Sequence, residues 1–157
     1  MAVVQQLNAE ELGAWVGLLA AHQQLVGALD AELERAHGVT LAEYDVLVQL
    51  ARAPRGRLRM GELAEAVILT RSGLTRLVDR LERRGLVERV RCPADRRGLH
   101  ALLTDTGHDL LREASATHLD GVRRLFLDPL EAGDVERLAS IWARLGIAPA
   151  GGDCGSM

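Results

Sequence analysis

The chain has 157 residues, of which 48 % are hydrophobic and 26 % charged, and its formal net charge is −3. This composition is that of an ordinary globular protein, and the length allows one domain with a sizeable core plus an oligomerisation element. Two cysteines, Cys92 and Cys154, exclude a disulfide framework. We expect no apolar run near the ~18 residues of a membrane span and no secretory leader, and therefore a cytoplasmic protein with no membrane partner.

Charge is distributed unevenly along the chain. Between Arg52 and Arg97 there are 13 arginines and 6 acidic residues, a local charge of +7, and the remainder carries −10. All 19 basic residues are arginine, whose planar guanidinium suits phosphate and guanine edges. A basic segment in an acidic chain predicts a surface that binds a polyanion.

The first predicted helix is long. Asn8 and Glu11 form a capping-box pattern, and the helix is expected to run to about His37, with Gly38 as its terminator. Its apolar stripe repeats at steps of three and four residues: Leu12, Trp15, Leu19, His22, Val26, Leu29 and Leu33. This heptad spacing, over more length than a small domain needs, predicts that part of the helix packs against a partner chain.

The next segments predict a helix-turn-helix. Thr40 and Glu43 repeat the capping box of a second helix, which ends at Pro54 and is followed by a polar loop over Arg55–Arg59. A short third helix, Met60–Val67, is separated from a fourth by the three residues Ile68, Leu69 and Thr70. Two helices joined by so tight a turn are typical of helix-turn-helix motifs.

A hairpin and two further helices complete the pattern. The fourth helix, with Thr70 as N-cap, ends at Gly85, and two strands follow at about Leu86–Arg91 and Leu99–Leu103. Their predicted tip is Pro93–Gly98. A fifth helix, capped by Thr104, is expected over about Asp105–Phe126, and a sixth ends near Leu145.

These elements predict a mainly α fold: a winged helix-turn-helix with a two-stranded β-hairpin wing, flanked by N- and C-terminal helices that form a dimerisation layer. The predicted divisions are residues 1–38 (dimerisation helix), 39–104 (DNA-binding lobe), 105–147 (C-terminal dimerisation helices) and 148–157 (disordered tail). A dimer would place two recognition helices ~34 Å apart, as a palindrome requires.

Two stretches, LTRSGLTRLVDRLERRGLVER and PADRRGLHALLTDTG, resemble MarR-type transcriptional regulators (the multiple-antibiotic-resistance regulator family). The resemblance covers roughly residues 39–145. It implies a homodimeric winged-helix DNA-binding protein that usually represses an operon and is often released by a small aromatic or anionic compound, or by an oxidant. One departure is Arg59 at the N-cap of the third helix, where many relatives carry Ser or Thr, which removes a contact worth ~1 kcal/mol.

The fourth helix is predicted to be the recognition helix, which enters the major groove of DNA. Arg71 and Arg76 are candidates to read guanine or hold phosphate, and Ser72 and Thr75 to contact phosphate or a thymine methyl; the alternative is a solvated helix face. The full set of candidate DNA contacts on this helix is Thr70, Arg71, Ser72, Thr75, Arg76 and Arg80.

Three arginines further along this helix have alternative predicted roles. Arg80 is either a DNA-backbone contact or a partner of Asp79 or Glu82. For Arg83 and Arg84, favourable interaction with the helix dipole is at least as good an explanation as DNA contact.

The wing supplies the second group of candidate contacts, Asp95, Arg96 and Arg97. The resemblance implies that Asp95 orients Arg97, which probes the minor groove; the alternative is an ordinary Asp-containing turn. Cys92 precedes this tip, and its oxidation could disturb DNA binding. The peroxide-sensing relatives, however, use a cysteine in the first helix, and this chain has none there.

Four residues are candidates for an effector pocket: Trp15, His22, Tyr44 and His118. A histidine on an apolar stripe is more often a satisfied core residue than a ligand contact. The five histidines form no i, i+4 pair, so we expect neither a metal site nor a cofactor.

The sequence thus predicts a homodimeric transcriptional repressor that binds a palindromic double-stranded operator and responds to a small molecule. The alternatives are a winged-helix module for protein–protein contact, which the +7 segment argues against, and a redox-responsive regulator acting through Cys92. An enzyme is not expected, because the sequence has no nucleophile–base pair, no paired carboxylates and no phosphate-binding glycine loop.

Overall fold

The computed structural model describes residues 6–67, 71–92 and 95–147, without the side chains of Arg71, Ser72, Cys92 and residues 95–98. The predictions for residues 68–70 and 148–157, which include Thr70, Cys154 and the tail, lie outside the described residues. The chain divides into two compact units, Met1–Gly121 and Val122–Met157. The predicted division into functional segments remains a prediction.

Helix α1 spans Ala9–His37. The Asn8 side chain accepts the backbone N–H of Glu11 at 2.9 Å, and the Glu11 carboxylate accepts that of Asn8 at 2.8 Å. The helix ends at Gly38, whose φ of 66° is left-handed and whose N–H donates to the Glu34 carbonyl. The predicted caps and bounds are therefore confirmed.

Helices α2 (Leu41–Arg52), α3 (Met60–Ala66) and α4 (Arg71–Arg83) follow as predicted. The Glu62 carboxylate accepts the Arg59 N–H at 3.0 Å, so α3 keeps this contact although it lacks a Ser or Thr cap. Helix α4 ends where Gly85 adopts a φ of 71° and the Leu86 N–H reaches back to the Leu81 carbonyl at 3.0 Å.

The sheet has three strands, β1 (Arg57–Arg59), β2 (Val87–Cys92) and β3 (Asp95–Leu103), in the antiparallel order β1-β3-β2. The predicted two-stranded hairpin wing is present as β2 and β3, and β1 adds a third strand at its edge. The prediction of a polar loop throughout Arg55–Arg59 was therefore wrong. A strand of three residues is too short to show alternation in the sequence; it forms because β3 offers a free edge, on which Leu58 pairs with Ala101.

The second strand of the wing is also longer than predicted. β3 begins at Asp95 and not near Leu99, and Cys92 pairs with Asp95 after an irregularity in the register. Most of the predicted tip therefore belongs to a strand. The sequence does not show this, because residues 95–98 are polar and lack the alternation of apolar and polar side chains that predicts a strand.

The core of the first unit consists of aliphatic side chains, as the low aromatic content predicts. Its largest fully buried members come from α1, α2, α3, α4 and β2 and from the link between α1 and α2: Leu33, Val39, Val46, Leu47, Leu50, Leu63, Val78, Leu81 and Val87. This core holds α4 at the surface of the unit, with one face packed inward.

Helix α5 spans Asp105–Val122, and Thr104 caps it by accepting the Gly107 N–H at 3.0 Å. The Thr104 hydroxyl also donates to the Gly85 carbonyl at 2.7 Å, which links the end of α4 to the start of α5. A Cβ on Gly107 would collide with the carbonyl oxygen of Leu86. This position therefore admits only glycine without a backbone shift.

In the second unit, a π-helical turn over Arg123–Leu127 and helix α6 over Asp134–Arg144 are described. The fifth helix was predicted to run to Phe126, but its α-helical part stops at Val122. Three apolar side chains of this unit, Val135, Ile141 and Leu145, are exposed in the single chain.

Helix α1 changes character along its length. Leu29 and Leu33 are buried, whereas Leu12, Trp15 and Leu19 are about half exposed. By length and composition alone this helix could cross a membrane, because residues 12–29 contain no charged side chain. The expectation that no apolar run approaches that length was therefore wrong.

Candidate nucleic-acid interface

Helix α4 has one buried face and one exposed face. Leu74, Val78 and Leu81 are buried in the core, at steps of four and three residues that place them on one side of the helix. Thr75 and Arg76 are exposed. The side chains of these two predicted contacts are therefore accessible to a ligand as large as double-stranded DNA.

Arg80 has a partner that the sequence did not indicate. Its Nε donates to Oε1 of Glu43 at 2.7 Å, and Glu43 is only 4 % exposed. The partners expected from the sequence, Asp79 and Glu82, bind Arg89 instead. A pairing of α4 with α2 across 37 positions leaves no trace in local spacing, whereas the wrong partners were near neighbours.

Arg89 connects β2 to α4. Its guanidinium is 2.6 Å from Asp79 and 2.6 Å from Glu82, and it also donates to the Thr75 carbonyl at 3.3 Å. Burial opposes the charge of Arg89, but the hydrogen bonds and attraction from both carboxylates raise its pKa above the ordinary value. These contacts hold β2 against α4. Sequence reasoning missed this residue.

Arg84 lies just after α4 and binds the end of another helix. Its two terminal nitrogens donate to the carbonyls of Gly38 at 2.5 Å and His37 at 3.2 Å, at the C-terminus of α1. Arg83, by contrast, donates to the Asp79 carbonyl of its own helix at 3.2 Å. The sequence predicted an interaction of Arg84 with the dipole of its own helix, whereas its guanidinium binds the C-terminus of α1.

Further arginines lie on the sheet. Arg57 and Arg59 are exposed on β1, at one edge, and Arg91 is exposed on β2, at the other. These residues belong to the basic segment and place positive charge on both edges of the wing sheet.

The remaining predicted contacts are only partly described. Arg71 and Ser72 occupy the first turn of α4, and Asp95, Arg96 and Arg97 lie in β3, but their side chains are outside the described residues, as is the side chain of Cys92. Their roles remain predictions.

The structure brings together two of the four candidate effector residues. The rings of Tyr44 and His118 lie 4.7 Å apart between centroids, and the Tyr44 hydroxyl donates to Ser115 Oγ at 3.2 Å. Nδ1 of His118 is buried without a hydrogen-bond partner, and burial lowers the pKa of this imidazole.

The other two candidates, Trp15 and His22, lie on the exposed stretch of α1. With a rise of 1.5 Å per residue they are ~27 Å and ~16 Å along the axis from Leu33, the α1 residue that shares a core cluster with Tyr44. One protomer therefore does not assemble the predicted four-residue pocket. Among the residues with described positions, no cluster of three or more His, Cys, Asp or Glu could hold a metal.

Comparison with known proteins identifies the family. A model of the MarR family matches residues 37–98. The crystal structure of Sco3205, a MarR family transcriptional regulator from Streptomyces coelicolor in complex with DNA, is 40 % identical to the chain, has a TM-score of 0.84, and matches over 95 % of this chain and 94 % of that one. The chain belongs to the MarR family.

Two further relatives agree. AbsC, another MarR family regulator from Streptomyces coelicolor, is 32 % identical, with a TM-score of 0.83 and coverage of 91 % of this chain and 96 % of that one. The transcriptional repressor MprA of Escherichia coli (strain K12) is 37 % identical over 79 residues, which are 50 % of this chain but only 45 % of MprA. Membership of a family of transcriptional regulators confirms the predicted family and winged-helix fold and the prediction of a regulator rather than an enzyme.

Proposed function

We propose that the protein is a homodimeric repressor that binds a palindromic operator in double-stranded DNA and is released by a small molecule. The observation that carries the proposal is the presentation of α4. One face of α4 is buried in the core, and Thr75 and Arg76 are exposed on the helix. The helix belongs to a segment of local charge +7. An exposed, arginine-bearing helix beside a basic sheet suits a major groove and its flanking phosphates.

The exposed apolar residues support the dimer. Leu12, Trp15 and Leu19 occupy one heptad stripe of α1 and are about half exposed in the single chain, and such a stripe is typical of a helix–helix interface. The same helix buries Leu33 completely in the core. A second copy of this chain, and not a membrane, is therefore the occupant that we propose for the exposed stretch.

The Tyr44–His118 pair supports an effector site between α2 and α5. A ligand that reached the unpartnered Nδ1 of His118 would satisfy a buried polar atom, and the Tyr44 ring would stack on an aromatic compound. Trp15 and His22 would have to come from the partner protomer to complete the predicted pocket.

In vitro selection tests the DNA-binding proposal. The protein would be incubated with a randomised duplex library, and the recovered duplexes would be sequenced. Sedimentation of the protein would give its oligomeric state. We expect a dimer and an enriched palindrome with half-sites one helical turn apart. A monomer, or recovered duplexes without any shared sequence, would contradict the proposal.

A further inference from the structure

Arg84 follows the recognition helix directly, yet its guanidinium is bound to the C-terminus of α1. Its two nitrogens bind the carbonyls of His37 and Gly38. The last carbonyls of a helix have no partner within the helix and carry the negative end of its dipole. The approach is close: Nη2 of Arg84 lies 3.6 Å from the position that a Cβ of Gly38 would occupy. Arg84 therefore caps α1 from outside.

The same end of α1 is bound to two other helices. Nε2 of His37 and Oγ1 of Thr117, on α5, are 2.7 Å apart. The backbone N–H of Leu41, at the start of α2, donates to Oδ1 of Asp30 on α1 at 2.7 Å. The C-terminal part of α1 is thus bound to α2, to α5 and, through Arg84, to the recognition helix.

A second contact fixes α4 close to the first. Arg80 precedes Arg84 by four residues, the spacing that places two side chains on one face of a helix, and its Nε binds the buried carboxylate of Glu43. Glu43 also accepts the Thr40 N–H at 2.9 Å. A carboxylate so deeply buried requires a positive partner, so the charge of Arg80 is used inside the protein.

We propose that Arg84, with Arg80 in support, is a positioning residue for DNA recognition: it fixes the orientation of the recognition helix by binding the C-terminus of α1. This inference rests on the proposed function. In the proposed dimer the N-terminal stretch of α1 packs against the partner, so a contact at its other end relates each recognition helix to the dimer interface. Arg84 then controls whether both helices fit one palindrome at the same time.

This role differs measurably from a phosphate contact. Loss of a phosphate contact removes a released counterion and lowers the slope of log affinity against log salt by about one for each contact. Loss of a positioning contact leaves the number of phosphates bound unchanged. It weakens binding where both half-sites must be reached together, and has little effect where one lobe binds alone.

The test compares Arg84→Met with Arg83→Met. The control variant removes the same charge from the neighbouring residue, whose side chain donates a hydrogen bond to the Asp79 carbonyl of its own helix. The probes are the palindrome selected by the wild-type protein and a duplex with one of its half-sites, titrated from about 50 to about 200 mM salt. We expect Arg84→Met to lose roughly tenfold or more in affinity for the palindrome and less in affinity for the half-site. The slope of log affinity against log salt should stay the same as in the wild type. Arg83→Met should retain its palindrome-to-half-site ratio.

Two outcomes for Arg84→Met overturn the inference. One is a slope for Arg84→Met that falls by about two on the palindrome, with equal losses on both probes, as two lost phosphate contacts require. The other is behaviour indistinguishable from that of Arg83→Met. If Arg84→Met does not fold, Arg84→Lys keeps the charge but has one donor nitrogen in place of two, and its affinity for the palindrome should lie between that of the wild type and loss of binding. Wild-type behaviour of Arg84→Lys would overturn the inference. Failure of the wild-type protein to select any sequence would instead refute the proposed function.

Discussion

Arg80 on α4 and Glu43 on α2 are joined by an ion pair of 2.7 Å between Nε and Oε1, with side-chain exposures of 46 % and 5 %. The exposures define what each residue contributes. Glu43 cannot be hydrated and depends on its hydrogen bonds, whereas Arg80 remains in partial contact with water. The pair connects the helix that we propose reads DNA with a helix of the core.

Removal of Arg80 is therefore expected to destabilise the fold more than its exposed position indicates. Arg80→Met leaves the Glu43 carboxylate buried without its cation, and we expect the free energy of unfolding to fall by about 1–3 kcal/mol. The exposure of Arg80 keeps this below the 3–5 kcal/mol of a fully buried pair. Urea unfolding measures the change.

A double-mutant cycle shows whether the pair itself is responsible. In a Glu43→Gln background no buried carboxylate is left unpaired, so Arg80→Met should lower the free energy of unfolding by clearly less. Equal costs in both backgrounds would mean that the pair contributes nothing and that Arg80 acts elsewhere.

Arg76 is expected to contribute to specificity. Arg76→Ala should weaken binding by ~1–3 kcal/mol and relax the preference at one base pair of each half-site, since Arg76 is exposed on α4. Affinities for the selected palindrome and for single-base variants of it measure both effects. Undiminished affinity for the palindrome would show that this face of α4 is not the reading face.

His118 should make stability dependent on pH. Burial lowers the pKa of its imidazole below the ordinary value of 6.5, so between pH 6.5 and the folded pKa the unfolded chain binds more protons than the folded chain. The contribution is complete above pH 6.5 and is lost as the pH falls through the folded pKa. His118→Gln should thus reduce the loss of stability between about pH 7 and about pH 5.

Unfolding midpoints at each pH measure this effect, and His108→Gln, at an exposed histidine of α5, is the control. A profile of His118→Gln that matches the wild type would contradict the assignment.

Gly107 is expected to tolerate no side chain. Its Cβ would meet the Leu86 carbonyl, which is backbone and cannot rotate away, so Gly107→Ala should lower the free energy of unfolding by about 1–3 kcal/mol. Gly61→Ala is the matched control, because a Cβ there has nothing within 4 Å and alanine favours a helix. Equal stabilities of the two variants would show that the backbone around Leu86 shifts at little cost to accept a Cβ at position 107.

Local signals made much of the fold predictable. The capping boxes at Asn8 and Thr40 and the glycine stops at Gly38 and Gly85 act over a few residues, so the sequence places them well. β1 was missed because three residues are too few to show a period, and its pairing partner lies more than 40 positions away. The extent of β3 was missed because the polar residues at its start, 95–98, show no alternation of apolar and polar side chains in the sequence.

The candidate site was less predictable for the same reason. Exposure of Thr75 and Arg76 follows from the apolar period of α4, which the sequence shows. The partners of Arg80, Arg84 and Arg89 depend on contacts across helices and strands, and a guanidinium used inside the protein cannot be distinguished in the sequence from one that is left for a ligand.

The salt dependence of binding to the selected palindrome tests the central claim most directly. If a dimer holds the DNA backbone through its arginines, log affinity should fall linearly and steeply with log salt, and roughly 10³-fold or more of affinity should be lost between about 50 and about 200 mM. Binding that is absent, or that does not change over this range, would contradict the claim that this chain is a DNA-binding regulator.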